Sequence, residues 1–89
     1  MKIVVTIVGK DQVGIVASVS SILADNNVNI LNVNQNIMDG FFNMVLIAEM
    51  TDDKLKLADL QKLLKEKGEA MRLEIKVQHQ DIFNSMHTI

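Results

Sequence analysis

The chain contains no cysteine, no proline, no tryptophan and no tyrosine. The absence of cysteine excludes disulfides and thiolate metal sites, and it fits a cytoplasmic protein. The only aromatic residues are Phe41, Phe42 and Phe83, too few for a surface that stacks nucleic-acid bases. The net charge is −2, so no basic footprint for nucleic acid is indicated. We therefore expect neither a disulfide framework nor a nucleic-acid partner.

Long apolar runs are also lacking. The run from Ile3 to Val8 is too short for a signal peptide or a membrane span, so we expect a cytoplasmic protein with no membrane partner. With 89 residues, the chain is sufficient for one domain, which we place at 1–80, followed by a tail at 81–89. A domain of this size buries a modest fraction of its surface, which favours self-association.

Two kinds of apolar periodicity divide the chain into six elements. Period-two or doubly apolar segments, which indicate strands, occur at 2–8, 28–38, 41–50 and 70–78. Helical spacing occurs twice. The first helix carries a stripe of Ile15, Val16, Val19, Ile22 and Leu23, and the second, at 51–68, a stripe of Leu57, Leu60, Leu63 and Leu64.

Turn and cap residues separate these elements. Asp39-Gly40 is a two-residue hairpin signal, because both positions of the turn favour positive φ. Asn26 and Asn27 suit the end of the first helix. For the second helix, Thr51, Asp52 and Asp53 predict the N-cap region, and Gly68 predicts the C′ position.

The order βαββαβ predicts an α+β fold of the ferredoxin-like class. We expect a four-stranded antiparallel sheet in the spatial order 4-1-3-2, with both helices packed on one face. The tail 81–89 has Ile82, Phe83, Met86 and Ile89 at helical spacing. A helix this short is not stable alone, so we expect it to pack on the domain or on a partner subunit.

The sequence offers no convincing catalytic or metal site. His79 and His87 have no third ligand nearby in sequence, and the serines of the first helix have no adjacent histidine. Other ferredoxin-like families fail on their motifs: copper chaperones need a Cys-x-x-Cys pair, RNA-recognition domains need aromatic residues on central strands, and acylphosphatases need an arginine in the first loop. We expect a protein that is not an enzyme and that holds neither a metal nor a cofactor.

The segment GKDQVG, residues 9–14, is the remaining candidate for a binding site. It joins the first strand to the first helix and carries a glycine at each end. Either the loop is only a tight corner, or its glycines expose backbone N–H groups at a helix N-terminus, where an anion is favoured.

Several features of the chain resemble the ACT domain, a small-molecule regulatory module of amino-acid metabolism. They are the GKDQVG loop, the helix opening GIVASVSSIL and the strand VNILNVNQN, in which Gly14-Ile15-Val16 and Asn29-Ile30 meet the family pattern. The resemblance covers about 2–78. The whole chain, tail included, looks like stand-alone single-domain ACT proteins, which are related to the regulatory protein of the glycine cleavage system.

The resemblance implies an amino-acid site at a dimer interface, between the first loop of one subunit and the second strand of its neighbour. Carried over by position, the ligand-binding residues are Gly9, Lys10, Asp11, Gln12, Val13, Gly14, Ile15, Asn29 and Ile30. Asp11 would pair with an α-ammonium group, and Asn29 would donate and accept hydrogen bonds. The alternative for each residue is a purely structural role, in which Gly14 serves loop geometry and Asn29 a turn.

Two functions follow from these observations. The first is a non-catalytic, allosteric regulatory protein that forms a homodimer and binds a small metabolite, an amino acid by the resemblance, at the subunit interface. The second is a ligand-free adaptor that docks an unknown protein partner through the open face of the sheet and the tail.

Overall fold

The secondary structure follows the predicted order of elements. The computed structural model describes residues 1–51 and 56–81; the proposed caps Asp52 and Asp53 and the tail segment 82–89 lie outside the described residues. The elements are β1 (Lys2–Lys10), α1 (Ile15–Asp25), β2 (Val28–Met38), β3 (Phe41–Met50), α2 (Leu57–Met71) and β4 (Leu73–His79). Of the described helices, neither is long and apolar enough to cross a membrane.

The strands form one antiparallel sheet in the order β2-β3-β1-β4, which is the predicted 4-1-3-2 order. In the centre, Val5 of β1 lies between Leu46 of β3 and Val77 of β4. β2 pairs with β3 alone and carries a bulge between Ile30 and Asn32. β2 and β4 are therefore the two edges of the sheet.

The core lies between the sheet and the two helices. Alternate residues of β1 (Ile3, Val5 and Ile7) are fully buried with Val19 of α1 and Leu64 of α2. Burying each such side chain contributes about 1.5–3 kcal/mol. We call this side of the sheet the helix face and the opposite side, which includes Val8 and Val45, the open face.

The predicted helical stripes are confirmed at their centres and wrong at their margins. Val19 and Leu23 of α1 are fully buried, as are Leu60 and Leu64 of α2. The predicted stripe members Val16 and Leu63 are 44% and 39% exposed. Both adjoin a buried residue, and one step along a helix turns a side chain by about 100° away from the sheet.

Both ends of α2 differ from the prediction. The helix begins at Leu57, with Lys56 in an extended conformation at the N-cap position, so the predicted cap at residues 51–53 is wrong. Gly68 is not the C′ residue; the helix continues to Met71 and ends at Arg72, which takes a left-handed conformation with φ 58°. β4 consequently starts at Leu73 rather than at 70. A Cβ atom added to Gly68 would lie 2.7 Å from the carbonyl oxygen of Leu73. Gly68 therefore allows close contact between α2 and β4.

The turn between β2 and β3 is confirmed. Asp39 has φ 52° and Gly40 has φ 80°, the positive values that a type I′ hairpin requires. The same holds for the end of α1, where Asn26 follows the last helical residue and Asn27 has φ 57°. In both places the sequence signal and the backbone conformation agree.

Substituting Gly40 by alanine will destabilise the protein by about 1–2 kcal/mol, because a Cβ atom is disfavoured at positive φ. No atom lies within 4 Å of the added Cβ, so the loss will come from backbone strain rather than from a clash. Urea unfolding measures it. Asp39→Asn is the matched control and will be nearly neutral, since asparagine tolerates this conformation. Equal stability of Gly40→Ala and wild type would contradict the assignment of the turn.

Candidate functional site

The loop 11–14 is held in place by contacts on two sides. The backbone N–H of Asp11 donates a hydrogen bond to the carbonyl of Gly40 at 2.8 Å, which joins the loop to the β2–β3 turn. The Nε2 atom of Gln12 donates to the carbonyl of Met71 at 2.8 Å, which joins it to the end of α2. The structure thus gives Gln12 a bracing contact.

The N-terminus of α1 is uncapped by side chains. Gly14 occupies the N-cap position with φ 91°, no side chain caps the helix, and its first turn contains no acidic residue. A Cβ atom at Gly14 would meet nothing within 4 Å, so the space beside this helix end is open. The first turn of α1 therefore supplies no carboxylate to balance the partial positive charge of the helix N-terminus.

Gly9, at the other end of the motif, is explained by packing. It pairs with Leu73 across the sheet, and a Cβ atom here would lie 2.5 Å from Cδ2 of Leu73 and 3.3 Å from the carbonyl oxygen of Arg72. The two glycines thus have different structural roles. Gly9 lets the start of β4 approach, whereas Gly14 supplies positive φ and leaves open space.

Exposure further divides the predicted loop residues. Lys10, Asp11 and Gln12 are exposed, and Val13 is completely exposed, which is unusual for an apolar side chain held in a braced loop. Ile15 is only 2% exposed and belongs to the core. Ile15 packs the start of α1 against the core, whereas the side chain of Val13 is exposed to solvent.

Within one chain, Asn29 and Ile30 lie far from this loop. Asn29 pairs with Glu49 near the end of β3, whereas Lys10 pairs with Phe41 at its start. Those positions are eight residues apart along β3, about 26 Å at the rise of a strand. The predicted site residues therefore form two groups at opposite ends of the sheet.

The two β2 residues also point to different faces. Ile30 is opposite the buried Ala48 and packs partly against the core, so it lies on the helix face. Asn29 is opposite Glu49, which is on the open face. Because α1 and its N-terminus are on the helix face, Ile30 shares a side with them and the side chain of Asn29 does not.

A comparison with known proteins identifies the family. The family model described as the ACT domain matches residues 1–78. The chain belongs to the ACT domain family. It is 49% identical over 89 residues to a UPF0237 protein from Clostridium perfringens, with all of both chains covered. That match extends past the end of the family model and through the C-terminal tail.

Solved structures agree with this assignment. An ACT domain protein from Streptococcus pneumoniae superposes with a TM-score of 0.82 at 34% identity, covering 93% of each chain. A putative glycine cleavage system transcriptional repressor gives a TM-score of 0.73 at 19% identity, covering 86% of this chain and 44% of that one. The second likeness is one of fold alone. ACT domains are typically regulatory and ligand-binding modules.

The β2 edge of this ACT domain is only partly protected against pairing with another strand. Strand 28–38 contains no charged residue and no proline, although its bulge between Ile30 and Asn32 is one feature that hinders edge pairing. Four of its apolar side chains are largely exposed: Leu31 (46%), Val33 (45%), Ile37 (57%) and Met38 (65%). The predicted 4-1-3-2 order already placed this strand at an edge, and the structure adds the exposure of its apolar side chains.

The β4 edge differs, because α2 leans over it. The Nε2 atom of Gln61 in α2 donates to the carbonyl of Val77 at 2.7 Å, and Gly68 brings the helix against the carbonyl of Leu73. β4 also carries Glu74 and Lys76, whose side chains form an exposed ion pair at 3.4 Å. The two edges of the ACT domain are therefore unequal, and β2 is the one open to a further strand.

No second candidate for chemistry emerges from the part of the chain that the structure describes. Within residues 1–51 and 56–81, no three histidine, aspartate or glutamate side chains cluster as metal ligands. The Nδ1 atom of His79 accepts a hydrogen bond from the backbone N–H of Asp81 at 3.1 Å, which closes the turn after β4. His87 lies outside the described residues. The β1–α1 loop thus remains the candidate site.

Proposed function

We propose that this ACT domain protein is a cytoplasmic, non-catalytic regulator that forms a homodimer and binds an amino acid at the subunit interface. The observation that supports this best is the separation of the predicted site residues. The loop 9–15 and the pair Asn29-Ile30 lie at opposite ends of one sheet, so one chain alone offers only half of the site. A second copy is needed to complete it.

Antiparallel pairing of two β2 edges would complete the site. A two-fold axis near the middle of β2 sets residues 28–30 of the partner beside residues 36–38 of this chain. Met38 leads directly into the Asp39-Gly40 turn, and Gly40 is hydrogen-bonded to Asp11 of the loop. The partner's Ile30 then lies near the loop. The asparagines of β2 favour pairing with a copy of the same strand, because an amide both donates and accepts.

The chemistry of this interface fits an amino acid. The uncapped N-terminus of α1 at Gly14 receives the α-carboxylate, and the exposed carboxylate of Asp11 attracts the α-ammonium group. Val13 of this chain and the partner's Ile30 provide apolar contact for the ligand side chain. Since Asn29 faces the other side of the sheet, we assign the contribution of β2 to Ile30 and the local backbone rather than to the amide of Asn29.

Thermal unfolding against a panel of the common amino acids at millimolar concentration tests this function. A ligand at 100 times its Kd adds about 2.7 kcal/mol of stability, which raises the unfolding midpoint of a domain this small by about 10 °C or more. We expect such a shift for one or a few amino acids. A dimer whose midpoint moves for none of them would contradict the ligand site.

Val13→Asp will remove that shift, because a carboxylate beside the N-terminus of α1 repels the ligand carboxylate. Val13 is completely exposed, and a negative charge at a helix N-terminus is favourable, so the unliganded variant will remain folded. Val13→Asn is the matched neutral control and will retain most of the shift. Loss of the shift in Val13→Asn but not in Val13→Asp would overturn the electrostatic model.

An adaptor without a small ligand is the second candidate, because the open face carries exposed Val8 (46%) and Phe41 (61%). A flat amino-acid panel combined with stable dimerisation would favour it. In that case, Phe41→Ser would weaken binding of a protein partner while leaving the dimer unchanged, since Phe41 lies on β3, one strand in from the paired β2 edge.

A further inference from the structure

We propose that the open face carries a second ligand site, near the β2–β3 turn, which binds a small nitrogen heterocycle with an amino substituent. The site is an open cavity of about 390 Å³, which is within the size range of small-molecule pockets. Apolar side chains and two asparagine amides line it. Apolar walls with a few polar groups are typical of sites that orient a small ligand.

The two amides form a pair across neighbouring strands. Asn43 of β3 lies directly opposite Asn36 of β2, and both are exposed on the open face. The Cβ atoms of such a pair are about 5 Å apart. Within residues 1–51 and 56–81, neither amide takes part in a side-chain hydrogen bond. Each amide therefore offers two free donors and a carbonyl acceptor, the groups with which asparagine binds the amino group and adjacent ring nitrogen of adenine.

Three apolar side chains surround this amide pair. Val8 of β1 lies beside Asn43, and Met38 and Phe41 lie opposite each other at the next position of the same face, towards the turn. Val8, Met38 and Phe41 are 46%, 65% and 61% exposed. Phe41 thus presents a ring face on which a heterocycle stacks. A single aromatic ring accommodates one free heterocycle rather than a nucleic-acid strand.

The charge of the lining selects among heterocycles. In the described part of the chain, Asp39 is the one charged residue that lines the cavity, and its exposed carboxylate favours N–H donors over anions. The carboxylate of an amino acid therefore has no cationic partner among the described residues that line this cavity. The ligand class is neutral or cationic, amino-substituted heterocycles, and it differs from the amino acid proposed for the β1–α1 loop.

This site does not depend on the proposed dimer. All the residues that line the cavity belong to one chain. Pairing of two β2 edges extends a sheet sideways and leaves its faces accessible. The site is also separate from the N-terminus of α1, which lies on the helix face.

Titration of the ¹⁵N-labelled full-length protein with adenosine tests the proposal. We expect saturable shifts of the side-chain amide signals of Asn36 and Asn43 and of the backbone signal of Phe41, and little change at Val19 on the helix face. Purine riboside, which lacks the amino group, is the matched ligand control and will bind about ten-fold more weakly. The absence of a saturable shift with adenosine at millimolar concentration, or equal affinity for the two ligands, would overturn the proposal.

Substitutions separate recognition of the ring from non-specific apolar contact. Asn36→Ala will weaken adenosine binding by about ten-fold, because it removes an amide from the ring edge. Asn32→Ala is the matched control and will leave binding unchanged, since Asn32 is exposed on the same face of β2 and does not line the cavity. Phe41→Leu retains apolar contact but loses the stacking ring, which weakens binding by about five-fold or more. Equal affinities of Asn36→Ala and Asn32→Ala would contradict the proposed site.

Val33→Lys distinguishes this site from the proposed dimer site. Val33 is opposite the buried Leu46 and so faces the other side of the sheet. Its substitution at the β2 edge will leave adenosine binding unchanged, whether or not the protein dimerises. Loss of adenosine binding in Val33→Lys would overturn the assignment of the site to one chain. Failure of the amino-acid panel, by contrast, would contradict the proposed function alone.

Discussion

Val33→Lys will convert the proposed homodimer into monomers, weakening association by about a hundred-fold or more. Val33 lies in the middle of β2, opposite Leu46, and is 45% exposed in the single chain. In a dimer paired through β2, the two copies of residue 33 lie close to the two-fold axis. The substitution therefore removes two apolar contacts and brings two like charges together. Natural edge strands use lysine to prevent this kind of pairing.

Sedimentation equilibrium across nanomolar to millimolar protein concentration measures the change. Leu63→Lys is the matched control, since Leu63 is an exposed apolar residue (39%) on α2, away from the β2 edge. It will leave the dimer intact, and both variants will have unfolding curves close to those of the wild-type chain at low concentration. A wild-type monomer at micromolar concentration, or a Val33→Lys protein that remains dimeric, would contradict pairing through β2.

The same variant connects assembly to ligand binding. Because half of the proposed site belongs to the partner, Val33→Lys will lose the thermal shift given by an amino acid even though Val13 and Gly14 are unchanged. The thermal shift of the Leu63→Lys control will match that of the wild type. A monomeric Val33→Lys protein that still gains the full shift would place the ligand site within one chain.

Gly68→Val will destabilise the fold by about 3 kcal/mol, which lowers the unfolding midpoint by about 12 °C or more. The first added carbon already lies 2.7 Å from the backbone oxygen of Leu73 and 3.1 Å from Cγ1 of Ile75. A backbone atom cannot move aside as a flexible side chain does, so α2 must shift away from β4. That shift also strains the hydrogen bond from Gln61 to the β4 edge.

Glu66→Val is the matched control, with the same new residue at an exposed position of the same helix. It will lose only about 0.5 kcal/mol through helix propensity. Gly68→Ala falls between the two, because the gain of about 1 kcal/mol in helix propensity offsets part of the clash. Urea unfolding of all three variants gives the order. A Gly68→Ala protein more stable than the wild type would show that the contact with β4 is loose.

Local signals in the sequence were sufficient for the turns and the order of elements. Asp39-Gly40 specified its hairpin because the two residues must satisfy a backbone conformation that involves no distant partner. Asn26 and Asn27 ended α1 for the same reason. The strand order followed from the βαββαβ pattern, since few topologies accommodate it.

Errors arose where the role of a residue depends on how two elements pack against each other. Gly68 has the spacing of a helix terminus, but the structure needs a glycine there because a side chain would clash with Leu73 of the neighbouring strand. Val16 and Leu63 continue the apolar stripes of their helices and yet are exposed, because only packing decides how wide a buried stripe is. Likewise, Gly9 and Gly14 look alike in sequence. Only their surroundings show that Gly9 is needed for packing, whereas Gly14 lies at an open helix end.

The sequence by itself determined the family, the elements and the loop that carries the candidate site, since these depend on local periodicity, turn chemistry and motif spacing. Only the tertiary structure decided that Asn29-Ile30 and the loop 9–14 lie at opposite ends of the sheet, and how far the apolar side chains of the β2 edge are exposed. The physical reason is that the separation of two sites and the exposure of an edge strand depend on segments far apart in the chain. Strand pairing and helix packing bring those segments together.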